Sequence, residues 1–74
     1  MKTFLVYVTT QYDGYEWPTK ALVQAKNEAS ALRKAEKDDF THENGIEVQK
    51  VEFAIEIPKN EVKTLRKYFG TLIN

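Results

Sequence analysis

The sequence predicts an α+β fold of element order ββαβα, in which a three-stranded antiparallel sheet of strand order 2-1-3 carries two helices on one face. Three observations predict it. A hairpin signal stands at Asp13–Gly14, residues 50–57 alternate cleanly between apolar and polar, and two further segments have helical periodicity. A chain of 74 residues is expected to form a single α+β domain over residues 1–74.

The hairpin is the most sharply predicted element, because Asp13–Gly14 between alternating segments is a strong signal for a two-residue turn. Folding the chain about this turn places Tyr12 opposite Tyr15 and Thr10 opposite Trp17. Residues that oppose one another in a strand pair share a face of the sheet. The apolar face of the hairpin then consists of Phe4, Val6, Val8, Ala21, Val23 and Ala25.

The other face of the hairpin is mixed and carries Leu5, Tyr7 and Leu22 among polar residues. We expect it to be uncovered and to act as a binding surface or as the seam of a weak homodimer. Scattered surface hydrophobes are an equally common reading, and packing of the second helix on this face is a third. Pro18 cannot donate to a strand ladder, so its strand is predicted at an edge, which is another route to the dimer.

The remaining elements follow from caps and periodicity. Asn27 is a good N-cap for a helix that ends near Phe40, and its apolar stripe is Ala29, Ala31, Leu32 and Ala35. The third strand is predicted to point Val51, Phe53, Ile55 and Ile57 toward the core. The second helix, Asn60 to about Phe69, follows Pro58. We expect the centre of the core to be Val6, Phe53, Ile55, Leu65 and Phe69.

A helix joins the second and third strands, so these strands should be parallel, with the first strand between them in a right-handed crossover. This layout resembles a ferredoxin-like fold with one strand missing. The likeness is topological and implies no function.

Composition argues against several functional classes. Eleven Lys and Arg balance eleven Asp and Glu. Proteins whose main function is to bind nucleic-acid phosphates usually carry an excess of basic residues. No Cys can form a disulfide or a thiolate metal site, and no apolar run is long enough for a membrane span. We expect a cytoplasmic protein that is complete from its first Met and does not contact membranes.

Few residues of the sequence are candidates for metal binding or catalysis. A cluster at the end of the first helix has metal-ligand spacing and consists of Asp38, Asp39, His42 and Glu43. A solvated helix end is the commoner explanation of such a cluster, so we expect no metal and no cofactor. With one His, no Cys, three Gly and no nucleophile motif, we expect no catalytic residues and no enzyme activity.

The hairpin tip supplies the main functional hypothesis. Tyr12, Tyr15 and Trp17 surround the turn, and Tyr and Trp are favoured in interaction hot spots, although cross-strand pairing alone would also explain them. Whether Leu72–Ile73 folds over this tip is left open. With Leu5, Tyr7 and Leu22, these residues form the predicted partner-binding set.

We therefore expect a small non-catalytic protein-binding module, an inhibitor or adaptor that occludes a larger partner. Short proteins without Cys are common among phage-encoded inhibitors of host systems, which is an analogy of size only. The alternative is a nucleic-acid-binding accessory protein that uses the basic faces of both helices. Its contact residues would be Lys26, Arg33, Lys34, Lys37, Lys63, Arg66 and Lys67.

Overall fold

A computed structural model describes residues 1–37, 47–69 and 72–73. In chain order the elements are β1 Lys2–Tyr12, β2 Tyr15–Ala25, α1 Glu28–Lys37, β3 Glu47–Ile57, α2 Lys59–Phe69 and β4 Leu72–Ile73. The strands form a mixed sheet of order β3-β1-β2-β4. The predicted α+β class is confirmed. The predicted strand order 2-1-3 is present within a larger sheet, because β4 adds a strand outside β2.

The hairpin has the predicted register along its whole length, down to Tyr12 opposite Tyr15. Asp13 and Gly14 have positive φ angles of 51° and 82°, the left-handed pair that a type I′ turn requires. A Cβ added at Gly14 would meet no atom within 4 Å, so the positive φ, and not crowding, is what favours glycine there.

The helix α1 packs on the face of the sheet that carries Val6, here called the first face. Its fully buried residues are Ala31 and Ala35, whose small side chains let the helix lie close to the strands. Asn27 caps the helix as predicted, because its Oδ1 accepts a hydrogen bond of 2.9 Å from the Ser30 N–H. The core cluster on this face is Phe4, Val6, Val8, Ala21, Val23, Ala25, Ala31, Ala35 and Ile73.

The strand β3 pairs antiparallel with β1, and the register shifts twice along this pair. Phe53 lies opposite Tyr7 and Val51 lies opposite Val8, so Glu52 is an extra residue on β3 between these two pairs. One extra residue reverses which side chains point to which face. Val51 therefore shares the first face with Val8, whereas Phe53 shares the opposite face, here called the second face, with Tyr7.

This bulge overturns the predicted contribution of β3 to the core. Phe53 and Ile55 are 48% and 47% exposed, and both lie on the second face. The residues of β3 that pack against the core cluster are Val48, Val51 and Ala54. Of the predicted core centre, Val6 alone is fully buried. Small Ala54, opposite Val6, suits the close approach of α1 to the sheet.

The helix α2 lies on the second face, so the prediction that both helices share one face is wrong. No residue of α2 belongs to the core cluster on the first face, and α2 contacts β2. Leu22 and Thr3 point to the second face and are only 1% and 7% exposed, which requires a layer above them. The predicted core residues Leu65 and Phe69 of α2 are half-buried.

The strand β4 explains this placement. The chain crosses the sheet from β2 to β3 through α1 and returns from β3 to β4 through α2, in the opposite direction. Right-handed crossovers in opposite directions must place their helices on opposite faces. The strands β3 and β4 are three strand spacings apart, which is about 14 Å at about 4.8 Å per spacing. The 11 residues of α2 reach about 16 Å at about 1.5 Å per residue, so the helix can span this distance.

The strand β4 also corrects the predicted edge. It pairs in parallel with β2 at Leu22 and Val23, so β2 is not an edge strand along its whole length. The half of β2 that contains Pro18 lies beyond this pairing, as the missing N–H of proline favours. Neither α1 nor α2 has the length and apolar character that a bilayer crossing demands.

Candidate interaction surfaces

The hairpin tip, defined as Tyr12, Tyr15 and Trp17, carries two exposed aromatic rings. Tyr12 and Tyr15 oppose one another directly and are 49% and 73% exposed. Trp17 is half-buried, and its carbonyl accepts a hydrogen bond of 3.2 Å from the hydroxyl of the buried Thr10. This bond ties the side chain of one strand to the backbone of the other, just behind the exposed pair.

The tip is exposed because α1 is much shorter than the hairpin. Each hairpin strand has 11 residues and reaches about 36 Å, whereas the ten residues of α1 reach about 15 Å. The helix begins at Glu28, just after β2 ends at Ala25, so it covers the half of the sheet far from the turn. Leu72–Ile73 does not fold over the tip, because it pairs with β2 at Leu22 and Val23.

A second aromatic surface, here called the aromatic patch, lies on the second face and consists of Tyr7, Phe53 and Ile55. The rings of Tyr7 and Phe53 stack, with centroids 4.4 Å apart and planes 16° apart. The Lys20 ammonium lies 5.2 Å from the centroid of the Tyr7 ring, a cation–π distance. Ile55 continues the patch opposite the half-buried Leu5.

Sequence reasoning found only one member of this patch, Tyr7. It assigned Phe53 and Ile55 to the core, because an unbroken alternation along β3 would place them with Val51. The available signal was a second apolar series on the same strand, Val48, Val51 and Ala54, whose spacing of three residues requires two bulges to bring it to one face.

Only some of the predicted partner-binding residues lie at the surface. Tyr12 and Tyr15 are exposed, and Leu5 and Tyr7 are half-buried on the second face. Leu22 lies on the same face but is fully buried, so its predicted roles as a contact and as a dimer seam are wrong. The reason is α2, which covers the β2 side of this face and leaves its β3 side open.

The basic residues of the alternative hypothesis fall on opposite sides of the sheet. Those exposed on or beside α1 are Lys26, Arg33 and Lys37, and those exposed on α2 are Lys63, Arg66 and Lys67. Lys34 is half-buried, and its Nζ donates a hydrogen bond of 2.7 Å to the Gln24 carbonyl. Because the sheet separates the two groups, they do not combine into the single basic stripe that the sequence suggested.

The metal-spaced cluster Asp38, Asp39, His42 and Glu43 lies outside the described residues. Within residues 1–37, 47–69 and 72–73, no three His, Asp or Glu side chains are placed to hold a metal ion together. Over the same ranges, every buried side-chain nitrogen or oxygen has a hydrogen-bond partner. The features that distinguish the described surface are therefore its exposed aromatic side chains.

No protein-family model matches the chain, and no curated protein or solved structure was found to be similar.

Proposed function

We propose that this protein is a small non-catalytic protein-binding module, an inhibitor or adaptor that occludes part of a larger partner, with the hairpin tip as its main contact. The observation that supports the proposal is the exposed, directly opposed pair Tyr12 and Tyr15 at the end of a strand pair that α1 does not reach. The composition, with one His and no Cys, favours binding over catalysis.

The hairpin tip is preorganised for contact with a partner. A Tyr or Trp side chain buries about 150–250 Å² when covered and has few rotatable bonds to immobilise. The type I′ turn and the hydrogen bond from Thr10 to the Trp17 carbonyl already hold the backbone of the tip. A partner would therefore gain aromatic contact area at a small cost in conformational entropy.

The test compares the double variant Tyr12→Ala and Tyr15→Ala with Tyr68→Ala. Tyr68 lies on α2 and is 83% exposed, so it is a matched exposed tyrosine away from the tip. Proteins retained from the native host by the parent and by Tyr68→Ala, but not by the tip variant, are candidate partners.

Titration of a purified candidate partner then decides the question. Loss of two hot-spot side chains should raise its dissociation constant by about 30-fold or more, since each costs about 1–2 kcal/mol or more. Circular dichroism and thermal melting check that each variant is folded. A folded tip variant that binds the partner as tightly as the parent contradicts the proposal.

The alternative function, nucleic-acid binding, has less support because the sheet separates the basic groups of α1 and α2. A gel shift with mixed DNA and RNA at low and at moderate salt tests it. Retardation that weakens steeply as salt rises, and that is lost when Lys63 and Arg66 are replaced by Ala, would favour nucleic acid over a protein partner.

A further inference from the structure

The two edges of the sheet are unequally protected against pairing with another strand. Edge strands present unpaired N–H and C=O groups, and proteins usually block them with proline, charges, bulges or short strands. On the β2 side, Pro18 cannot donate, and β4 is only two residues long. On the β3 side, the half nearer the turn has both register shifts and carries Lys50 and Glu52, an ion pair of 3.6 Å.

On the second face, the stretch Phe53–Ile57 carries no charged side chain, and it contains no proline and no bulge. It pairs in regular register with β1, and no described strand pairs with its outer edge. Its second-face side chains are Phe53, Ile55 and Ile57, all apolar, and the first two are about half exposed. Its first-face side chains are Ala54 and Glu56.

We propose that a second copy of this chain pairs antiparallel with Phe53–Ile57, with the two-fold axis at Ile55. Ile55 then opposes its own copy, and Phe53 of one chain opposes Ile57 of the other. On the first face, Ala54 opposes Glu56, so no like charges meet. The two second faces lie on the same side of the joined sheet, because opposed residues of a strand pair share a face.

Charge favours this register over its neighbours. A two-fold axis at Ala54 would oppose Glu52 to Glu56, and an axis at Glu56 would oppose that residue to itself. Like charges directly opposite one another destabilise a strand pair. An axis at Phe53 would extend the pairing across the bulge at Glu52, where the faces of β3 reverse.

The proposed dimer has a sheet of eight strands, four from each copy, and joins the two aromatic patches across the new strand pair. Five paired residues from each copy form a small contact, below the roughly 1,200–2,000 Å² of stable complexes. The association is therefore weak, in the micromolar range or above, and reversible.

A charge-rescue experiment tests the axis directly. Sedimentation equilibrium compares the parent with Ile55→Lys, with Ile55→Glu and with their equimolar mixture. Each variant alone opposes a charge to itself, which should move half-dimerisation to concentrations at least about tenfold higher. The mixture opposes Lys to Glu and should dimerise again as a heterodimer, which requires residue 55 to face residue 55. Because Ile55 is about half exposed, the variants should stay folded, which NMR spectra of the monomers check.

A cross-linking experiment provides an independent measurement. The chain has no Cys, so Ile55→Cys introduces a unique thiol. Opposed Cα atoms in an antiparallel pair are about 4.5–5.5 Å apart, within the range that a disulfide bridges. Under mild oxidation Ile55→Cys should form covalent dimers at least about tenfold faster than Tyr68→Cys, the exposed control on α2.

Two results would overturn the proposal. One is a parent that stays monomeric up to about 0.5 mM, with Ile55→Cys cross-linking no faster than Tyr68→Cys; an extended segment of a different protein would then be the remaining occupant of this edge. The other is a mixture of charged variants that is no more dimeric than either alone. Tyr15→Lys separates this proposal from the hairpin-tip function, since it should weaken partner binding and leave self-association unchanged.

Discussion

Replacing Phe53 with alanine should lower the free energy of unfolding less than replacing the smaller residue Leu22. An unbroken alternation along β3 would place Phe53 in the core, and two helices packed on the first face would leave Leu22 on an open surface. The bulge at Glu52 and the position of α2 reverse both assignments. The two substitutions therefore test the arrangement of the second face with one measurement.

The expected magnitudes follow from the exposures. Leu22 is fully buried beneath α2, and a buried Leu→Ala change costs about 3–5 kcal/mol, including the cavity. Phe53 keeps about half its surface in water, so its burial contributes about 1–1.5 kcal/mol, half that of a fully buried side chain. Its stacking with Tyr7 adds about 0.5 kcal/mol at this exposed site. We expect a total of about 1.5–2 kcal/mol for Phe53→Ala.

Urea denaturation, followed by Trp17 fluorescence and by circular dichroism, measures both changes. The net stability of so small a domain is about 3–5 kcal/mol, so Leu22→Ala should be largely unfolded without urea. The milder Leu22→Val, at about 1 kcal/mol, keeps that site measurable. Tyr68→Ala serves as the surface control, with a change within about 0.5 kcal/mol. If Phe53→Ala is as unfolded without urea as Leu22→Ala, the bulged register of β3 is refuted.

Further variants test local features. Asn27→Ala removes the acceptor of the Ser30 N–H and should cost about 1 kcal/mol, a fall in Tm of about 4–8 °C; an unchanged Tm would contradict the cap. Gly14→Val forces a β-branched residue to a φ of 82° and should cost about 1–3 kcal/mol in urea titrations. Lys34→Met leaves the Gln24 carbonyl without this donor and should cost about 1 kcal/mol, whereas Lys37→Met should be neutral. Thermal melts with a chelator and with excess zinc should superimpose, and a rise of several degrees with stoichiometric zinc would indicate a metal site.

The hairpin could be predicted from the sequence because its determinants are local. Asp13–Gly14 specifies the turn, the turn sets the register, and the alternation on each side agrees with that register. The same holds for Asn27, whose side chain caps a helix that begins at the next residue. In each case the residues that determine the structure lie within a few positions of one another.

The faces of β3 could not be predicted in this way. Along this strand, the series Val48, Val51 and Ala54 competes with the series Phe53, Ile55 and Ile57 for the core. Which series packs in the core depends on where two extra residues are accommodated against β1, and on α1, which is close enough to favour small Ala54. These are contacts between distant parts of the chain, and they cannot be predicted from the alternation of apolar and polar residues along β3.

The face covered by α2 was unpredictable for a different reason. The pair Leu72–Ile73 is too short to give a strand signal, yet its pairing with β2 sets the direction in which the chain crosses the sheet. Without that direction, the handedness rule cannot assign α2 to a face. The burial of Leu22 was unpredictable for the same reason, because α2 covers Leu22 and the face on which α2 lies depends on β4.

The course of α2 also accounts for the aromatic patch. A helix that leaves the end of β3 and must reach β4 at the far edge covers the β2 side of the second face and leaves the β3 side open. Charged side chains protect an open stretch at a sheet edge, because they prevent other strands from pairing with it. Phe53 and Ile55 stand there instead, and neither contributes to the core cluster. Their cost in solubility is offset if another polypeptide covers them. The apolar second face of Phe53–Ile57 therefore favours a contact with another chain.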